Sequence, residues 1–279
     1  MQPLSYLGST ADFYRTAAKG VILKSPMKVS EENPNREGLE TANKNAIDIE
    51  RRILETLGSH PRIVPFVQPP LLYMAGELSV VDKYLGVSAN GIHLSEAGLG
   101  DLQKYIDSHN TGCEQAAEAV VYIHKKGVIH SDLRPENLPV DQIQGSYMSL
   151  WLCDFGGSTC ARLGLDGGHL PDTPFFDPRM KWESTPATDI FSLGSIFYTN
   201  WPYRDSPPEW SSVQEKQAYE AQVDGWFKQG HFPPVSHVIG GNVIRGCWDH
   251  QYKTAEEVLN AVRSEIVAPT RGSVCIDES

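Results

Sequence analysis

The chain has 279 residues, with 24 basic and 35 acidic side chains and a formal charge of −11, which argues against any broad basic face for sequence-independent nucleic-acid binding. A hydrophobic content of 40% with 21% charged residues is that of a folded chain with a core, and no apolar run reaches the ~18 residues that a membrane helix needs. Five cysteines, at 113, 153, 160, 247 and 275, are odd in number and contain no C-x-x-C pair, which speaks against a disulfide framework and a structural zinc site. Residues 1–9 carry neither a basic nor an apolar segment, so no secretory signal is expected. The expectation is a soluble, monomeric protein of a reducing compartment, the cytoplasm first and the nucleus as a second option, with neither nucleic acid nor membrane as partner.

In chain order, residues 19–24 read as a β-rich run after a turn. Residues 39–57 place Ala46, Ile49, Ile53 and Leu57 at helical spacing, and Gly58 follows as a C-terminal stop. Residues 65–82, rich in proline and apolar side chains, interrupt the pattern and read as an extra surface loop or an unspliced intron. Further helices are expected at 101–108, 113–126, 187–200, 213–229 and 254–267, the last opened by Thr254 with Glu257 three residues on. Leu150 to Cys153 reads as a buried strand, and the tail 268–279 is polar. A β-rich front and a helical back predict an α+β architecture in two lobes.

The strongest local signal is His130-Ser131-Asp132-Leu133-Arg134-Pro135-Glu136-Asn137, followed 22 residues after Asp132 by Asp154-Phe155-Gly156. With Lys24 on a strand and Glu50 on a helix upstream, and Thr188-Asp189-Ile190-Phe191-Ser192-Leu193-Gly194 downstream, the sequence resembles the eukaryotic protein kinases. Its flavour is similar to short kinase-like proteins of filamentous fungi, on Cys153-Asp154-Phe155-Gly156-Gly157 and Gly246-Cys247-Trp248.

That resemblance implies a bilobal protein-kinase-like fold over 1–267, with an N-lobe at 1–94, a hinge at 95–98 and a C-lobe at 99–267. It implies ATP and Mg²⁺ as cofactors and a protein substrate whose identity is open. Lys24 would hold the α- and β-phosphates and Glu50 would fix the lysine, while Asn137 and Asp154 offer hard oxygen ligands to the metal. Asp132 would take the hydroxyl proton and Arg134, where the family usually has lysine, would neutralise the γ-phosphate. Gly8 is the remaining glycine of the phosphate loop, and the backbone of Ser95 and Ala97 would hold adenine. His130, Leu54 and Phe155 are read as packing rather than chemistry.

Several positions depart from the family pattern. Only Gly8 remains of the glycine-rich loop, Ile22 stands where a small residue is usual, and Pro139 stands where a leucine packs under the base. Ser131 replaces the arginine before the catalytic aspartate, so Thr159 and Thr173 are expected to be poor phosphorylation switches. Asp177-Pro178-Arg179 and Tyr252 replace both ends of an expected ion pair. The leading reading is a Ser/Thr protein kinase, because Arg134-Pro135-Glu136 follows that class. A pseudokinase acting as an interaction module is the main rival, with a small-molecule phosphotransferase behind it.

Overall fold

A computed structural model describes residues 2–4, 10–67, 91–100, 102, 112–143, 147–199, 212–236, 238 and 240–267. Gly8, the expected helix 101–108 apart from Leu102, residues 68–82 and the tail 268–279 lie outside the described residues.

The N-terminal part is an antiparallel sheet of β1 (Gln2–Pro3), β2 (Ala11–Arg15), β3 (Val21–Pro26) and β4 (Ile92–Ser95), in that spatial order. β3 pairs with β4 so that Ile22 faces Leu94 and Lys24 faces Ile92 across the ladder. Leu23 and Lys24 are both buried, because one face of the strand meets the core and the other meets helix α1 (Arg36–Leu57). The helix starts about one turn before the apolar periodicity does. Its inward stripe of Ile47, Glu50, Ile53, Leu54 and Leu57 is buried, and Gly58, at φ 68°, donates its N–H back to the Leu54 carbonyl.

The segment read as an insertion begins inside this sheet. Ser95 N–H donates to the Pro65 carbonyl, Val67 N–H donates to the His93 carbonyl, and Phe66 bridges Leu94. Residues 65–67 therefore run antiparallel beside β4 and correct the expectation of a loop starting at 65. The backbone groups of an edge strand need partners, and this run supplies them.

The C-terminal part is helical, with α2 (Gly112–Lys125), α3 (Pro186–Thr199), α4 (Val213–Lys228), α5 (Gly241–Trp248) and α6 (Ala255–Val267). Two hairpins complete it: β5 (Val140–Ile143) with β6 (Tyr147–Leu150), and β7 (Thr159–Cys160) with β8 (Leu165–Asp166). The strand expected at 150–153 ends earlier, at Leu150. Beyond it Leu152 makes a single parallel bridge to Ile63, which ties the segment after α1 to the C-terminal part. At α6, Thr254 Oγ accepts the Glu257 N–H at 3.2 Å, while the Glu257 carboxylate takes the Lys253 N–H.

Helix α5 has no counterpart among the expected elements, although Val243, Ile244, Cys247 and Trp248 stand at helical spacing, and it meets its neighbours at glycines. Those glycines permit close packing: a Cβ on Gly246 would lie 2.5 Å from the Tyr252 ring, and one on Gly194 of α3 would lie 2.7 Å from Cys247 Cβ. Trp248, fully buried, donates its Nε1 hydrogen to Ser195 Oγ at 3.0 Å, and Ser195 donates on to the Pro174 carbonyl at 2.8 Å.

Asp177 is not left alone by the change at position 252. Its buried carboxylate is held by Arg179 at 2.8 Å and by His250 Nε2 at 2.6 Å, and Arg179 also reaches the Trp248 carbonyl. The compensating partners are thus Arg179 and His250, whereas Tyr252 packs on Gly246. Burial alone would raise the Asp177 carboxyl. The hydrogen bonds from His250 and Arg179 outweigh it and hold the group far below the ordinary value of 3.8.

A carboxyl depressed in the folded state adds stability that is fully present above its unfolded pKa and disappears as pH falls through the folded one. Urea unfolding is expected to show Asp177→Asn less stable by about 2 kcal/mol at neutral pH. The gap should hold down to about pH 4 and narrow in stronger acid.

Candidate active site

Lys24, Glu50 and Asp154 come from three separate parts of the chain and meet at one point. Lys24 Nζ donates to Glu50 Oε2 at 2.6 Å and to Asp154 Oδ1 at 2.7 Å. Lys24 and Glu50 are buried, at 3% and 0% side-chain exposure, while Asp154 keeps 40%. Burial opposes the charged ammonium, but the two carboxylates override it and raise the lysine above its ordinary range. Desolvation likewise pushes Asp154 up, and the Lys24 ammonium reverses this and holds the carboxyl below its usual range. Glu50, deepest of the three, is raised by burial despite the lysine. Among the described residues its Oε1 has no hydrogen-bond partner.

α1 presents Glu50 because Ile47, Ile53 and Leu54 on the same face anchor the helix in the core. The turn after Asp154 rests on that helix, where a Cβ on Gly156 would stand 3.2 Å from Ala46 Cβ. Asp154 itself adopts φ 64°, a strained conformation for a non-glycine residue.

Three of the other expected residues gather around the loop after α2. Asp132 receives Arg134 Nε at 2.8 Å and Nη2 at 2.6 Å on Oδ1, and Asn137 Nδ2 at 3.2 Å on Oδ2. Asn137 also donates Nδ2 to the Asp132 carbonyl, so its Oδ1 is the amide atom offered to a cation. A short 3₁₀ turn, Pro135–Asn137, brings the asparagine round, and Cys153 N–H donates to the Asn137 carbonyl at 3.1 Å. That bond sets Cys153, the residue before Asp154, beside Asn137. One half-open carboxylate and one amide oxygen form a hard donor set that suits a magnesium ion.

Ser95 ends β4, and Ala97 follows it in a half-buried backbone segment. There Glu96 N–H donates to the Gly20 carbonyl and Gly98 N–H to Asp141 Oδ1. Ile22 is buried opposite Leu94 and Pro139 is half-buried, so both of the altered adenine-facing positions remain apolar packing.

Several residues that contact this loop were not among the expected site residues, Asp189 and His169 among them. Asp189 of α3 is completely buried and accepts the N–H groups of His130 at 2.8 Å and Ser131 at 3.0 Å, and His124 Nε2 at 2.9 Å. It holds Ser131 at φ 67°, where the serine hydroxyl meets Ser184 rather than supplying a cation. Its sequence signal was the run around 188–194, read only as a buried helix. The second is His169, whose Nε2 lies 3.4 Å from Asp132 Oδ1 and which no local pattern announces. His130 packs its ring on Phe155 at 5.0 Å and donates to the Cys153 carbonyl, the structural role expected of it.

The family model described as protein kinase domain matches residues 8–233. The probable serine/threonine-protein kinase zyg-1 of Caenorhabditis elegans is 31% identical over 120 residues, covering 39% of this chain and 17% of that protein. The serine/threonine-protein kinase HAL4/SAT4 of Saccharomyces cerevisiae is 31% identical over 132 residues, or 44% of this chain and 21% of the relative. Calcium/calmodulin-dependent protein kinase type 1B of Rattus norvegicus is 30% identical over 205 residues, or 68% of this chain and 54% of the relative. The chain therefore spans at most about half the length of these three relatives.

Removing the Asp189 carboxylate leaves two buried backbone N–H groups without acceptors. Asp189→Ala is expected to lower unfolding stability by about 2–4 kcal/mol, read as a shift in the urea midpoint. An unchanged midpoint would show that the loop is held by something else.

Proposed function

Because this chain belongs to the protein kinase domain family, we propose that it transfers the γ-phosphoryl group of ATP to serine or threonine hydroxyls of a protein substrate. The observation that carries the reading is the Lys24 ammonium placed between Glu50 and Asp154 at 2.6 and 2.7 Å. A cation so fixed is what a triphosphate requires on a protein of charge −11.

In this reading the acceptor Oγ attacks the γ-phosphorus, the bond from that phosphorus to the ADP oxygen breaks, and the hydroxyl proton passes to Asp132. Asn137 keeps the Asp132 carboxylate oriented through Oδ2, and Arg134 stands beside it to offset the charge of the transferred group. Lys24 binds the non-transferred phosphates, and Glu50 keeps the ammonium from swinging away. Asn137 and Asp154 would hold a magnesium ion, which when bound supplies charge neutralisation to the phosphates. The resemblance of Arg134-Pro135-Glu136 to the Ser/Thr class, and the serine/threonine kinases among the relatives, support hydroxyl acceptors of that kind. The odd cysteine count without C-x-x-C pairs supports a reducing, cytoplasmic location, and the charge balance supports a protein rather than a nucleic-acid partner.

Radiolabel transfer from γ-labelled ATP to a peptide library tests this reading. Wild type is expected to label peptides carrying serine or threonine, and Asp132→Asn to lose at least about 100-fold in kcat while still binding nucleotide. Equal labelling by both proteins would remove Asp132 from the chemistry. A wild type that binds but transfers nothing would make the chain a pseudokinase.

A further inference from the structure

The catalytic loop is overlaid by a segment that the proposed reaction does not use. Residues 167–172 run back from the β7–β8 hairpin toward Asp132, and their approach depends on missing side chains. A Cβ on Gly167 would stand 2.3 Å from the Gly157 carbonyl carbon, and one on Gly157 would stand 2.8 Å from His169 Cβ. Gly168 turns at φ 64° with its N–H on Asp166 Oδ1 at 2.8 Å. Three glycines thus bring the next side chain, His169, down onto the loop.

Asp132 Oδ1, an oxygen that would receive the acceptor proton, has donors already. Arg134 reaches it at 2.6 Å from two residues along the same loop, and His169 Nε2 lies at 3.4 Å from 37 residues away. On the other side of that cluster Arg134 Nη2 lies 3.5 Å from Asp172, so the same segment touches the loop twice. Of these donors His169 has the longest contact with Asp132, is 45% exposed, and is carried by a different stretch of chain.

Building on the phosphotransfer reading above, we propose that His169 caps Asp132: its imidazole stands where the substrate hydroxyl must approach Oδ1, and a protein substrate binds by displacing it. His169 is a gating residue that acts through Asp132 rather than on the phosphate. The charged groups facing it are Asp132 and Arg134 of the catalytic loop and Asp172 of its own segment. The Asp132 contact raises the imidazole above its ordinary 6.5, against burial and Arg134, which lower it. A group so shifted holds its partner most firmly when protonated, so the cap tightens as pH falls and loosens as pH rises through the raised value.

Steady-state kinetics with a phosphorylatable peptide, run from about pH 8 to about pH 6, test the cap. The wild-type peptide KM should rise several-fold toward the acid end, and His169→Ala should flatten that rise and lower the KM at about pH 6 by about fivefold. The KM for ATP should stay within about twofold of wild type, and nucleotide titration, common to both proteins, cancels in the comparison. His169→Gln, a neutral donor, should give a pH-independent peptide KM. Parallel pH slopes in wild type and His169→Ala would overturn the proposal, as would a fall in kcat at unchanged peptide KM.

A second readout needs no turnover. In an NMR titration, the ring resonance lost in His169→Ala should titrate above 6.5 in the wild type and return toward it in Asp132→Asn. An unmoved titration contradicts the cap. A wild type that transfers no phosphate contradicts the phosphotransfer reading and ends the cap's role with it, even where the titration upholds the contact.

Discussion

The arrangement depends on one buried ammonium. Taking Lys24 out of water is unfavourable, and it is tolerated only because Glu50 and Asp154 close on it at hydrogen-bond distance. The three residues sit on a strand, on a helix and in the loop after β6. Satisfying one charge therefore fixes the helix against the sheet, and the Asp154 turn against both. The hydrophobic stripe of α1 and the Gly156–Ala46 contact supply the packing that makes this geometry the stable one. The half-exposed carboxylate of Asp154 marks the side on which a ligand can compete for the ammonium.

A second buried charge does the same work in the C-terminal part. Asp189 on α3 takes two consecutive backbone N–H groups of the loop after α2 and holds Ser131 in the left-handed region. Strain at positions 131 and 154 costs of order 1–3 kcal/mol each, and each strained residue stands beside a buried ionic contact. The loop is thus ordered from beneath by a helix side chain. That anchoring explains how a chain with serine at 131 keeps Asp132, Arg134 and Asn137 in register without an arginine there. The segment 174–179 is tied down in a similar way, through Ser192, Ser195, Arg179 and His250.

What could be read in the sequence follows from how local its cause is. Lys24, Glu50, Asp132, Asn137 and Asp154 were singled out by their order and spacing, and the fold brings Lys24, Glu50 and Asp154 into contact and sets Asn137 on Asp132. The helices α1, α3 and α6 carry apolar periods or caps and were legible to within about a turn. α5, only eight residues long, was missed, although Val243, Ile244, Cys247 and Trp248 stand at helical spacing on its buried face. Asp177-Pro178-Arg179 and Tyr252 were read as the two replaced ends of an ion pair, and the partners of the buried Asp177 carboxylate were not foreseen. Arg179 lies two residues away, but its role is set by the Trp248 carbonyl and by His250, which only the folded chain delivers. Residues 65–67 carry no strand signature of their own and are ordered by the edge of β4. His169 owes its place to three glycines and left no pattern to find.

The claim at the centre of this account is that the Lys24 cluster is a site for magnesium-bound triphosphate, and nucleotide-dependent thermal unfolding measures it most directly. Saturating ATP with Mg²⁺ is expected to raise the wild-type midpoint, by the equivalent of about 2.7 kcal/mol at 100 times the dissociation constant. The shift should shrink without the metal and be absent in Lys24→Met, with each protein referred to its own nucleotide-free midpoint. Equal stabilisation of wild type and Lys24→Met, or none in either with Mg²⁺ present, would contradict the account.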